Sequence, residues 1–285
     1  MLFCTAGQCH SRRRVRKGLH PGLFYNFWQN IHTLHVFPWI LGFAAAVIVT
    51  VVMVHSGADT AIQQHFQARN PLGPWLPWLM LSGGNFWHIL IALGMLIRGK
   101  LRANTGLIGG SLAAGQALLL NALVNTTQKI LSGRMGPDYM DPAMGTRETP
   151  FFSVTRDPGN FRFDFWNSPL MEGRFFWPSG HTASIFAFVA ALAAYYPDKK
   201  WIPLAGYPFA ALTGIAMIDG DFHWASDVVA GAILGILAGH ITGAAFRKAY
   251  LKKPAATETQ AAQKQGYSPR TVMMPADGPD QRAQQ

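Results

Sequence analysis

Residues 177–181 read WPSGH, an order with chemical consequences. Pro178 stops any upstream helix and presets a turn, Ser179 is a strong helix N-cap, and Gly180 lets another group approach the backbone closely. The unbonded N–H groups at the start of the helix that follows carry about half a positive charge, which suits phosphate. His181 stands beside them, able to hand a proton to a leaving group. A capped helix with an incidental histidine would carry the same four residues, so a second pair has to narrow the choice. His223 and Asp227 lie four residues apart and share one face if the segment is helical. A carboxylate there holds the imidazole in one tautomer and raises its basicity. A nucleophilic histidine needs that support, although a His–Asp pair is also a common structural device. Two histidines with separate roles, one attacking phosphorus and one protonating the leaving oxygen, would form a metal-free phosphoryl-transfer site.

The elements that must position these residues are oily. Hydrophobic residues make up 49% of the 285 and charged residues only 13%, against about 25% charged in an ordinary soluble domain. Six stretches lack Asp, Glu, Lys and Arg altogether or nearly so: 36–54, 78–97, 103–128, 182–197, 201–218 and 228–246. The second is interrupted by Gly83, Gly84 and Asn85. A helix needs about 20 residues to cross about 30 Å of hydrocarbon. The expected fold is therefore all-α, a polytopic bundle of six transmembrane helices with a long extracytoplasmic loop between the third and fourth.

The basic residues test that count, because they gather on the cytoplasmic side of membrane proteins. Arg12, Arg13, Arg14, Arg16 and Lys17 precede the first run, and Arg98, Lys100 and Arg102 follow the second. Lys199 and Lys200 separate the fourth and fifth, and Arg247, Lys248, Lys252 and Lys253 follow the sixth. With six crossings all of them fall on one side, which places both termini in the cytoplasm. Segments 55–77, 129–180 and 219–224 then share the periplasmic or exterior face. The stretches KILSGRMGPDY, WPSGH and DGDFHWASD all lie there, so a bundle can bring them together. The net charge of +10 is then a topology signal and an attraction to anionic lipid, with no nucleic acid partner.

Three regions are expected: a basic cytoplasmic or interfacial segment over 1–34, a membrane domain over 35–250, and a disordered cytoplasmic tail over 251–285 that is rich in Gln, Ala and Pro. Residues 20–35 suit an amphipathic lead-in at the membrane interface. No cleavable leader is expected. Cys4 and Cys9 read as free thiols rather than as metal ligands with His10.

The segments KILSGRMGP, PSGH and HWASD, in this order on six apolar runs, resemble the three signature motifs of the type-2 phosphatidic acid phosphatase superfamily. The resemblance covers about residues 75–246. It implies that His223 becomes phosphorylated, with Asp227 as its partner and His181 as general acid. It further implies that Lys129 binds phosphate, that Ser179 and Gly180 cradle it, and that neither a cofactor nor a metal is used. Substrates of such enzymes include phosphatidic acid, polyprenyl pyrophosphates and the phosphates of lipid A. Two departures stand out. Gly136 and Met217 occupy the positions of the two arginines that grip phosphate in the family pattern. Charge-assisted bonds of that kind contribute roughly 1.5 to 3 kcal/mol each. Arg134 and Arg174 are the expected substitutes, with Arg147, Arg156 and Arg162 also in reach from the loop. Asp219 and Asp221 add negative charge near His223 and favour a substrate with less negative charge or with a cationic headgroup.

The loop over 136–177 is rich in aromatics, among them Phe151, Phe161, Phe175, Phe176 and Trp177. Either packing on the bundle or a lid over a lipid headgroup would explain them, since a structureless loop this long is uncommon unless functional. Gln116, Asn121 and Asn125 in the third run are expected to bond between helices. The leading functional expectation is an integral membrane phosphatase acting on a lipid phosphate or pyrophosphate. A transferase using the same phosphohistidine, and a lipid-binding protein that has lost catalysis, are the alternatives.

Overall fold

The computed structural model describes residues 22–33, 39–137, 140–141, 145–146, 154–164, 166 and 172–250. The expected tail over 251–285, Cys4, Cys9, His10 and Arg147 lie outside the described residues. In chain order the helices are α1 (Phe27–Thr33), α2 (Trp39–His55), α3 (Ala58–Arg69), α4 (Leu76–Ser82), α5 (Asn85–Leu101), α6 (Thr105–Ser132), α7 (Gly180–Tyr195), α8 (Trp201–Asp219) and α9 (Ala225–Tyr250). Between α6 and α7 the chain forms two small sheets. β1 (Gly136–Pro137) pairs in parallel with β4 (Val154–Thr155), and β2 (Met140–Asp141) pairs antiparallel with β3 (Gly145–Thr146).

Among the described residues, α6, α8 and α9 are each long and apolar enough to cross a membrane. Two bent pairs raise the number to five. Ile40–His55 turns by 70° into Ala58–Arg69, and Gly73–Ser82 turns by 52° into Phe86–Leu101. The first bend falls at Gly57, whose φ of 76° lies in the left-handed region that glycine enters without steric cost. The second falls at the Gly83–Gly84 break visible in the sequence. The fourth expected crossing, α7, has only 16 residues. Apolar side chains on these helices point outward, as with Ile48 at 60% and Leu204 at 78% exposed, while Gln116, Asn125 and Asn121 are buried. Such an arrangement suits a hydrocarbon surround, where the interior is the better place for polar groups.

Helices α6, α7 and α9 pack against one another at the centre, with α2 on α9, α5 on α6 and α8 on α7. The α7–α9 contact is the closest. Gly231, Gly235, Gly239 and Gly243 recur every fourth residue along α9 and face the α7 backbone. A Cβ on Gly231 would stand 2.6 Å from the Ser179 carbonyl oxygen, and one on Gly235, Gly239 or Gly243 would run into the carbonyl of Ala183, Ala187 or Ala191. Small residues let two backbones touch where no hydrophobic effect drives helices together. This packing fixes the start of α7, which carries His181, against the start of α9, which carries Asp227. On α6, Gln116 accepts a hydrogen bond from Asn30 of α1 and donates to the Tyr25 carbonyl at 3.0 Å. The lead-in expected to lie in the interface is thus docked on the bundle through α1.

Candidate active site

The end of α6, the start of α7 and the turn before α9 converge on a cavity of about 360 Å³. Asn121, Asn125, Lys129, Gly180, His181 and His223 line it, with Phe175, Phe176 and Phe222 as aromatic wall. Local sequence explains each placement. Ser179 caps α7, its Oγ accepting from the Thr182 N–H at 3.5 Å and lying 3.0 Å from Thr182 Oγ1. The Ser179 N–H donates to the Asp227 carbonyl at 3.0 Å, tying the WPSGH turn to α9. Lys129 lies one turn before the left-handed Gly133 that ends α6. Its Nζ donates to the Phe175 carbonyl at 2.5 Å and approaches the Phe176 carbonyl at 3.4 Å. His181 is exposed to the cavity, whereas His223 is 7% exposed.

Asp227 Oδ2 lies 3.3 Å from His223 Nδ1 and accepts from the Trp224 N–H at 3.1 Å. With Nδ1 committed to the carboxylate, Nε2 is the ring nitrogen whose lone pair could serve as a nucleophile. Burial lowers the His223 pKa to about 4, against the hydrogen bond that Nδ1 makes to Asp227, which works the other way. The imidazole is therefore neutral, and carries a lone pair, at physiological pH.

Arg134 does not line the cavity. It is fully buried on the far side of Asp227, and its guanidinium makes five hydrogen bonds. Nε and Nη2 donate to the Pro158 carbonyl at 3.1 and 2.7 Å, Nη1 to Ser226 Oγ at 2.8 Å and to Asp227 Oδ1, and Nη2 to Asp59 Oδ2 at 2.9 Å. A guanidinium has five N–H donors, so none remains for a phosphate. Its expected role as a substitute gripping arginine gives way to holding Asp227. Arg174 also turns away, donating to the Gly133 carbonyl at 3.0 Å and to Asn160 Oδ1 at 2.7 Å. Arg162 pairs with Glu172, and Arg156 lines a separate cavity beside α3.

Asp219 and Asp221 do not reach the cavity either. Asp219 Oδ2 accepts from the Leu72 N–H and Asp221 Oδ1 from Gln67 Nε2, each at 3.1 Å. The two positions without arginine are filled by other means. Any Cβ on Gly136 would collide with the Phe176 ring, which meets His223 edge-on at 5.7 Å between centroids. Met217 is 1% exposed, and its carbonyl accepts the His223 N–H at 3.0 Å.

Sequence reasoning missed Asp59 and Ser226. Asp59 is fully buried, accepting from the Ser226 N–H at 2.8 Å and from Ser226 Oγ at 2.5 Å as well as from Arg134. A lone acidic residue opening the polar stretch after the first apolar run was the available signal, but nothing in its neighbours named a partner.

Residues 110–250 match the family model of the PAP2 superfamily. This segment belongs to the PAP2 superfamily. It contains Lys129, His181, His223 and Asp227, so the resemblance read from the motifs holds. Over 66 residues the chain is 46% identical to the lipid A 1-phosphatase of Porphyromonas gingivalis, a match that covers 23% of this chain and 15% of that protein's length. A crystal structure of a transmembrane PAP2-type phosphatidylglycerolphosphate phosphatase from Bacillus subtilis aligns at a TM-score of 0.42 and 17% identity, over 77% of this chain and 92% of the other.

Proposed function

We propose that the chain is an integral membrane phosphatase that hydrolyses a lipid phosphate at the extracytoplasmic surface through a phosphohistidine on His223. The observation that carries this reading is the convergence of His223, His181, Lys129 and the α7 N-terminus on one cavity. In the first step His223 Nε2 bonds to phosphorus, the bond from phosphorus to the lipid oxygen breaks, and His181 delivers a proton to that oxygen. In the second, His181 takes a proton from water, the water oxygen attacks phosphorus, and the bond to His223 breaks. Lys129 and the first N–H groups of α7 hold the phosphoryl oxygens, while Asp227, fixed by Arg134, keeps His223 oriented. The PAP2 match and the relative named a lipid A 1-phosphatase support a lipid phosphate as substrate class.

The same proposal includes six crossings, with α7 as the short one, flanked by a cytoplasmic basic segment and a cytoplasmic tail. The basic residues at the ends of α5 and α9 and before α8 support that orientation. The test is phosphate release by purified protein from a panel of lipid phosphates, in the presence of a chelator and alongside His223→Ala. Chelator-resistant release that the substitution abolishes is the expected result. Release that survives His223→Ala, or that needs an added metal, overturns the mechanism.

A further inference from the structure

We propose that the cavity beside α3 is a second binding site, separate from the one that holds His223, and that it takes a neutral polyhydroxylated group such as a sugar ring.

Thr60, Gln63, Gln64 and Gln67 recur at the spacing of one helix face. They line a cavity of about 210 Å³, closed on its other sides by Thr155, Arg156 and Trp224. It shares no lining residue with the cavity around His223. Trp224, next in sequence to His223, is a fixed wall. It is 2% exposed, its backbone N–H donates to Asp227 Oδ2 and its Nε1–H to the Met135 carbonyl, each at 3.1 Å.

Asp59 and Gln63, four residues apart, are the buried residues of α3. Arg134 and Ser226 answer Asp59. Gln63 is 4% exposed, and neither its Nε2 nor its Oε1 has a hydrogen-bond partner among the described residues. A buried amide left unpaired is costly, so native structures rarely contain one, and each case asks for a reason.

The chemistry of the amide selects the occupant. One end donates and the other accepts. An anion satisfies the donor and is repelled by the acceptor, and a cation does the reverse. A hydroxyl donates and accepts on one atom, and two neighbouring hydroxyls meet both ends of the amide together. The rest of the lining agrees. It adds two threonine hydroxyls and two further amides, with Arg156, exposed to solvent, as its one charged residue. Size narrows the choice again. Sites for drug-sized ligands span about 300–1,000 Å³, so this one suits a single ring or a glycerol unit. A peptide strand, flanked by side chains, would not reach the buried Gln63 through so small a space. The indole of Trp224 gives the C–H face of a ring an apolar surface.

The test uses the full chain in a zwitterionic detergent, because a glycoside detergent would itself supply the ligand. Methyl glucoside is the soluble probe, and a monoglucosyl diacylglycerol in mixed micelles is the lipid-borne one. Calorimetric affinity and unfolding temperature are the readouts. Saturable binding that raises the unfolding temperature is expected for at least one of them. The soluble probe alone assigns the site to free sugars, and the lipid alone to a headgroup. Gln63→Leu should weaken the binding about fivefold or more, as expected for a lost hydrogen bond. Its unfolding temperature without ligand should hold, since the amide removed was unpaired. Thr60→Val, on the same face, should weaken binding by a smaller factor and keeps the test decisive should Gln63→Leu fold poorly. Absence of binding by both sugars leaves a cavity for water and overturns the proposal. Binding unchanged in both variants overturns it, as does acetamide binding in preference to either sugar. Neither readout involves phosphate release, so a chain inactive on lipid phosphates decides the matter equally well.

Discussion

Lys129 and Arg134 lie five residues apart, on either side of the glycine that ends α6, and they serve opposite faces of the same imidazole. In front of His223 the cavity is open, lined by neutral amides and phenylalanines, and holds one lysine. Behind it Arg134 is sealed from solvent, spends every N–H on the protein and sits between two carboxylates. The front can change partners during a reaction, and the back cannot. A cation's function here follows from what already occupies its donors, not from its distance in sequence to a motif.

The sharpest way to break this comparison is Arg134→Met. Removing one partner of a buried ion pair leaves uncompensated charge and costs about 3–5 kcal/mol, so thermal unfolding in detergent should fall steeply. Lys129→Met should leave unfolding nearly unchanged and raise KM. Equal losses of stability in the two would erase the distinction. Next comes Gly239→Leu, which forces α7 and α9 apart. Overpacking of this kind costs about 1–3 kcal/mol, and turnover should fall with it because both histidines ride on that contact. Asp59→Asn tests whether the sealed side reaches the chemistry. An expected tenfold loss in kcat corresponds to about 1.4 kcal/mol, with KM unchanged; a KM effect instead would place Asp59 in substrate binding.

The last expectation concerns pH. The His223 pKa falls to about 4 on folding, against an ordinary value of 6.5. Below 6.5 the unfolded chain takes up a proton that the folded one refuses, so the stability from this group is complete above pH 6.5 and drains away towards pH 4. The unfolding temperature should drop over that window in the wild type and drop less in His223→Gln.

Much of this architecture was legible before any coordinates. Long uncharged runs report membrane helices directly, and Pro-Ser-Gly-His reports a capped helix start because each residue has a local reason to be there. The limits were equally physical. Hydropathy counts apolar residues and is blind to direction, so the bends at Gly57 and Gly83–Gly84 hid inside or beside single runs. The glycines at 231, 235, 239 and 243 were a readable pattern, since a spacing of four on a helix marks one close-packed face. Arg134 reads as a phosphate ligand from the sequence because it lies two residues before Gly136, where the family pattern has an arginine. The turn at Gly133 and the buried Asp59, 75 residues away, redirected it, and no local pattern encodes a partner at that separation.

If α7 is the crossing proposed above, its brevity sets where the proposed hydrolysis takes place. Sixteen residues rise about 24 Å at 1.5 Å per residue, while the hydrocarbon core is about 30 Å thick. As a crossing, α7 held at the level of Tyr195 on one side begins several ångströms short of the opposite boundary. A lipid whose phosphate rides at headgroup height must sink to meet Ser179–His181, or the leaflet must thin around the protein. Either accommodation costs fractions of a kcal/mol per ångström of mismatch. On the proposed reading membrane thickness controls turnover: in reconstituted vesicles, shortening the acyl chains of the host lipid is expected to bring the scissile bond down to the helix start and to raise the rate of phosphate release.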